Sequence, residues 1–238
     1  MTKNIKISLS LIYIICLGAL LYSFFYFIDI SQLNNYSYIR DNSQFLIEVK
    51  DQNFIGFTFL YILFVIIWIL LLGFASPIAL VAGFLFGKFF GTLISVFAFT
   101  TGCTLLYFLA NSFFKTIIME KFSNKISKYK KLFNKNEFFY YMIFRLAGGG
   151  GIPFAIQNLL PVIFNMRVKN YFFSTLIGLF PVVFVMCSIG SGIENIIQQN
   201  INPSFFSMIQ TKEIYLPLLG FIGIIIFSSI LRKKFFKR

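Results

Sequence analysis

Six uncharged apolar stretches, residues 7–28, 52–87, 89–114, 146–166, 170–193 and 214–231, leave this chain little material for anything except membrane helices. Each reaches the roughly 18 residues that mark a candidate span. Hydrophobic residues make up 58% of the chain, so no sizeable soluble domain can be assembled from what is left. The expected fold class is an all-α integral membrane protein. The first stretch has the basic flank of a signal peptide in Lys3 and Lys6, but its 22 residues exceed a signal core and lack a small-residue cleavage site. It reads as an uncleaved anchor helix.

A net charge of +13 on a soluble protein would suggest nucleic acid. Here the cations flank apolar runs, as they do in cytoplasmic loops that meet anionic lipid. No nucleic-acid motif is present, and none is expected as a partner. Cys16, Cys103 and Cys187 are scattered without metal-like or paired spacing and read as small core hydrophobes. With no His, no carboxylate pair in the membrane and no thiol beside a base, the usual acid, base and metal constellations are missing. Neither enzymatic activity nor a cofactor or metal is expected.

Charge also sets topology. The N-terminus, residues 115–137 (seven Lys against two Glu) and the tail from Arg232 to Arg238 are basic and should be cytoplasmic. Residues 29–53, with two cations against four carboxylates, and residues 194–213, with one against two, should face outward. If 7–28 leads out and 89–114 leads in, then 52–87 must start and finish outside, as a hairpin broken near Gly73 to Pro77. By the same parity 138–166 enters and leaves from the cytoplasm, turning at Gly148, Gly149, Gly150, Gly151 and Pro153. Glycine accepts dihedrals closed to other residues, and proline removes a backbone donor. Broken helices at membrane depth require protein or a watery cavity around the freed backbone.

The expected architecture is therefore inverted repeats of re-entrant hairpin plus transmembrane helix, with about four full spans and two re-entrant hairpins. An anchor helix and external loop occupy 1–53. The central domain is 54–193, with repeat one over 54–114, a cytoplasmic amphipathic helix over 115–137 and repeat two over 138–193. An external loop, a last span and a basic tail follow over 194–238. The amphipathic helix is read from Ile118, Phe122, Ile126, Tyr129 and Phe133, with Lys between them. The alternatives are kinked full spans in place of the hairpins and a solvated lysine-rich loop in place of the amphipathic helix.

Pro77, then Ala82-Gly83-Phe84-Leu85-Phe86-Gly87 and Gly91, and later Phe144-Arg145-Leu146 with Ile152-Pro153-Phe154 and Asn158, resemble the DedA and VTT-domain superfamily, also called the SNARE-associated Golgi protein family. The resemblance covers residues 57–193. It implies two facing re-entrant hairpins and movement of lipids between leaflets, as a scramblase or as a transporter of polyprenyl-phosphate carriers. The chain departs from the family pattern where glycine replaces a proline soon after the arginine, where the interval from Arg145 to Pro153 is longer, and at Pro161. Between Asp51 and Glu194 its only acids are Glu120 and Glu137, both in the basic loop. That argues against proton coupling through a buried carboxylate and places the chain nearer the VTT-like branch.

Ionisable groups inside membrane segments are costly, so each is a functional suspect. Arg145, just before the glycine run, can hold a phosphate with its planar fork, or it snorkels to the interface. Lys88 and Arg167 are candidate headgroup contacts with interfacial alternatives. Asn158 must be hydrogen-bonded if buried. Gly83 and Gly87 form a small-xxx-small pair suited to close helix packing, and Gly148 to Gly151 could instead expose amides as an anion nest. The reading is lipid translocation between leaflets, with anionic phospholipid or lipid phosphate as partner, in a bacterial cell membrane with both termini cytoplasmic. A secondary transporter of a small anion and a non-transporting membrane-biogenesis scaffold are the alternatives.

Overall fold

The computed structural model describes residue 18 and residues 36–71, 73–115, 133, 135–147, 152–198 and 210–236. The expected anchor helix, the run Gly148 to Gly151 and most of the expected interfacial helix lie outside the described residues. The chain divides into two units, Met1–Phe54 and Ile55–Arg238. In the first, α1 (Tyr36–Gln52) is helical where an external loop was expected. Ile39, Leu46 and Val49 recur at helical spacing, and Lys50 in the last turn suits the negative end of the helix dipole. Lys50 Nζ also lies 3.2 Å from Asp51.

The described part of the second unit is helical: α2 (Phe54–Leu70), α3 (Ala75–Phe86), α4 (Lys88–Leu109, continued by a π-helical turn, Ala110–Phe114), α5 (Glu137–Leu146), α6 (Phe154–Phe164), α7 (Val168–Gln198) and α8 (Lys212–Phe236). Among the described residues two single helices are long and apolar enough to cross a membrane, Lys88–Ser112 and Val168–Ile197. Three shorter apolar helices accompany them: α3, α6 and the Ile214–Phe227 part of α8. On α4, Phe89, Leu93, Phe97, Leu105 and Phe108 are exposed at spacings near four, while Ile94, Ala98, Phe99 and Cys103 are buried. An apolar stripe of that size on the outer face belongs against hydrocarbon. The protein is an integral membrane protein.

α7 forms the centre, packing against α3, α4, α5 and α8. It runs antiparallel to α4: Tyr171 near its start bonds the Cys103 carbonyl at 3.3 Å, whereas Phe184, farther along, meets Phe89 at 5.7 Å. Where α3 crosses α7, a methyl on Gly83 would land on the Cys187 backbone, and one on Gly190 would land on the Leu80 carbonyl. Only glycines allow that approach.

Two breaks interrupt the helices. After Leu70 the helix closes with Leu71 N–H on the Ile67 carbonyl and Gly73 N–H on the Trp68 carbonyl. The indole of Trp68 then donates to the Phe74 carbonyl at 2.9 Å, fixing the chain before α3. Pro77 sits in the first turn of α3, where its missing N–H costs no helical bond. Gly87, at φ 75°, ends α3 and starts α4, in backbone space that favours glycine. The second break follows Ala147, and α6 starts after Pro153. Asn165, at φ 50°, closes α6 in the left-handed conformation that Asn tolerates best after Gly. Of the expected interfacial helix, Phe133 is described and lies face to face with Phe164 at 4.0 Å.

Candidate functional site

Arg145 occupies the last turn of α5 and is only 1% exposed, the largest among the fully buried side chains. Its stem packs beside Gly178 of α7, where any side chain would collide with it. Its fork reaches α6: Nη1 donates to Gln157 Oε1 at 3.2 Å, and Nη2 donates to Asn158 Oδ1. Tyr171 on α7 and Cys103 on α4 complete the surroundings, with the Tyr171 hydroxyl 3.5 Å from Nη2 and the Cys103 thiol donating to Asn158 Oδ1 at 3.3 Å. The rings of Tyr141 and Phe154 each lie 5.2 Å from Cζ, so their negative faces attract the cation. Four helices thus converge on one guanidinium.

Each partner is held in turn. Gln157 Nε2 donates to the Ile152 carbonyl at 2.7 Å, which staples the chain end of the second break to α6. The Tyr141 hydroxyl donates to the Gln157 carbonyl at 3.0 Å. That carbonyl lies four residues before Pro161, which has no N–H to give it. Asn158 is 0% exposed and spends its oxygen on Arg145 and Cys103.

All these partners are neutral. Among the described residues Arg145 has no carboxylate counterpart, and a guanidinium keeps its proton in proteins. Glu137, the acid nearest in sequence, is engaged at the other end of α5. Its Oε1 accepts from the Arg167 backbone N–H and Nε, each at 3.2 Å, and from Asn170 Nδ2 at 2.6 Å. A full charge buried with dipoles alone costs several kcal/mol that the surroundings must offset. The carboxyl end of α5 and the two rings supply part of that.

Of the four residues singled out from sequence, the fold brings Arg145 and Asn158 into contact. Arg167 is 83% exposed and turned to Glu137. Lys88, also exposed, lies over the Phe89 ring at 5.3 Å. It opens α4, whereas Arg145 meets α4 at Cys103, fifteen residues along and roughly 22 Å away by helical rise. Gln157, Tyr141, Tyr171 and Cys103 were not singled out. Gln157 carried a signal, an amide beside Asn158 inside an apolar run, but the other three are assembled from separate helices.

The VTT domain matches residues 73–192, just over half of the chain and all seven residues of the cluster. The Transmembrane protein 41 homolog of Caenorhabditis elegans is 24% identical over 151 residues, 61% of each chain. This chain therefore spans about three fifths of the length of that curated relative. No solved structure matches.

Proposed function

The chain belongs to the VTT-domain family, and from that premise we propose that it passes lipid headgroups between the two leaflets of a membrane. The observation that carries this reading is Arg145, a full positive charge enclosed by neutral partners where α4, α5, α6 and α7 meet beside the second break. In this reading α2 with α3, and α5 with α6, are re-entrant hairpins of opposite orientation, and their tips mark the crossing path. A phosphate leaving water loses its hydration, and a planar guanidinium replaces part of it with two parallel hydrogen bonds. Headgroups of anionic phospholipids or polyprenyl phosphates are the substrate class. No bond is made or broken.

Arg145 is closed off from solvent in this conformation, so passage requires α5 and α6 to part at the second break. Lys88 and Arg167 open two antiparallel helices and so stand toward opposite membrane faces, where they gather headgroups rather than carry them across. The membrane is that of a bacterial cell, with both termini cytoplasmic.

The test is dithionite quenching of a fluorescent phospholipid in proteoliposomes. Wild type should expose inner-leaflet label that empty vesicles protect, and Arg145→Ala, verified as folded by size-exclusion chromatography, should slow that phase roughly tenfold or more, the worth of one charged hydrogen bond. Protection equal to empty vesicles removes the activity. An unchanged rate in Arg145→Ala removes the residue.

A further inference from the structure

Hydroxyls buried in apolar helices ordinarily return their proton to the carbonyl one turn back. On α4 and α7 most do: Thr92 to Lys88, Thr101 to Phe97, Thr104 to Thr100, Ser188 to Phe184 and Ser174 to Tyr171. Ser95 shares a proton with Tyr61 at 2.7 Å. Thr100 and Thr175, both 0% exposed, do neither, and their oxygens have no partner. Two further buried donors are unmet, Arg145 Nε and Asn158 Nδ2.

Helical register draws these four toward one another. Thr175 lies on the same face of α7 as Tyr171, four residues before it, and Gly178, three after. Those neighbours meet the tip and the stem of Arg145. Thr100 is one turn before Cys103, which meets Asn158 and the same guanidinium. Each of these four can donate, the remaining unmet atom, Asn111 Oδ1 in the π-helical turn, being an acceptor, and Arg145 brings a charge that no described carboxylate balances.

A water molecule is the weaker occupant, because its two protons can go only to the threonine oxygens and it leaves the charge of Arg145 unbalanced. Asn158 Oδ1 already accepts twice, and Gln157 Oε1 faces Arg145. An acceptor-only ion has no such difficulty, and it also cancels the buried charge. We propose that Arg145 Nε, Asn158 Nδ2 and the Thr175 and Thr100 hydroxyls form a buried site for a small inorganic anion of the halide class, which occupies the closed conformation until a headgroup phosphate displaces it.

The site shares Arg145 with the lipid-passage reading but is measured in detergent micelles, where there are no leaflets to exchange, so either idea can fail alone. The probe is sodium chloride against sodium gluconate at equal ionic strength, added to the purified full chain. The readouts are the thermal midpoint followed by Trp68 fluorescence and the broadening of the chloride NMR line. Chloride should raise the midpoint saturably and broaden the line, with gluconate inert. Thr175→Val, which keeps shape and removes the hydroxyl, should weaken chloride binding roughly tenfold, and Thr175→Ser should restore it. Equal responses to chloride and gluconate, or an unchanged response in Thr175→Val, overturn the site. Stabilisation by glycerol phosphate with none by chloride also overturns it, while leaving phosphate recognition by Arg145 standing.

Discussion

Tyr141 donates to the Gln157 carbonyl at 3.0 Å, and Pro161 is the reason that this carbonyl needs a donor. In an uninterrupted α6 the N–H of residue 161 would bond it; proline cannot. A carbonyl stranded away from water costs about 1–3 kcal/mol, so the tyrosine repairs the helix that its neighbour interrupts. The same ring lies against Arg145, at 5.2 Å from Cζ. Repair of α6 and seating of the charge are one arrangement.

Tyr141→Phe should therefore lower stability by about 1–3 kcal/mol while leaving the ring in place. In a Pro161→Ala background the helix recovers its own donor, and the same substitution should cost clearly less. Thermal unfolding of the four proteins in detergent forms a double-mutant cycle. Strict additivity would mean that the hydroxyl acts elsewhere.

The α3 and α7 crossing allows a contrast among glycines. Gly83→Ala and Gly190→Ala place a methyl on backbone atoms, which cannot swing away, and overpacking of this kind costs about 1–3 kcal/mol or more. At Gly220 of α8 a methyl meets nothing within 4 Å, and Ala there should stabilise the helix by about 0.5–1 kcal/mol. Unfolding midpoints that fall for the first two and hold or rise for the third are expected. A fall in all three would point to a general intolerance of bulk.

Much of this arrangement is legible in the sequence. Uncharged runs over 89–114 and 170–193 correspond to the spans Lys88–Ser112 and Val168–Ile197, because an apolar run must satisfy its backbone internally whatever packs against it. Arg145 and Asn158 stood out because polar groups are rare at that depth, and the family resemblance carried by those residues is borne out by the VTT match. What sequence could not supply is convergence. Tyr171 lies two residues after Lys169, where it reads as an interface residue, and only the antiparallel packing of α7 on α4 turns it toward Cys103. Pro161 was visible as a departure from the family pattern, but its compensation comes from Tyr141, twenty residues earlier. Residues 29–53 read as an external loop from their charge, and within them Tyr36–Gln52 is helical.

The first break can be read optically. Trp68 is the only tryptophan in the chain, and its indole covers Gly73 while donating to Phe74. Gly73→Ala puts a methyl into the indole ring, so the ring must leave and its hydrogen bond must break. The emission maximum should shift, and collisional quenching should change. Gly87→Ala, which meets nothing within 4 Å but forces a φ of 75° on a residue with a side chain, should destabilise the protein by about 1 kcal/mol with the Trp68 spectrum unmoved. Identical spectra for Gly73→Ala and wild type would dismiss the staple.

At the start of α7, Glu137 Oε1 receives three donors of unequal worth. The Arg167 guanidinium is 83% exposed, and a solvated pair contributes about 0–1 kcal/mol. The Arg167 backbone N–H is one of the unmet amides that precede a helix, and a carboxylate there acts as a cap worth about 1 kcal/mol, aided by the positive end of the α7 dipole. Asn170 adds the shortest of the three bonds, at 2.6 Å. The order of destabilisation should therefore be Glu137→Ala first, Glu137→Gln second, since glutamine retains an acceptor oxygen but no charge, and Arg167→Ala last. Raising ionic strength with sodium gluconate should narrow the gap between wild type and Glu137→Gln but leave Glu137→Ala well below both, because the amide cap persists when charges are screened. If Arg167→Ala were as damaging as Glu137→Ala, the ion pair rather than the cap would be what holds α5 to α7.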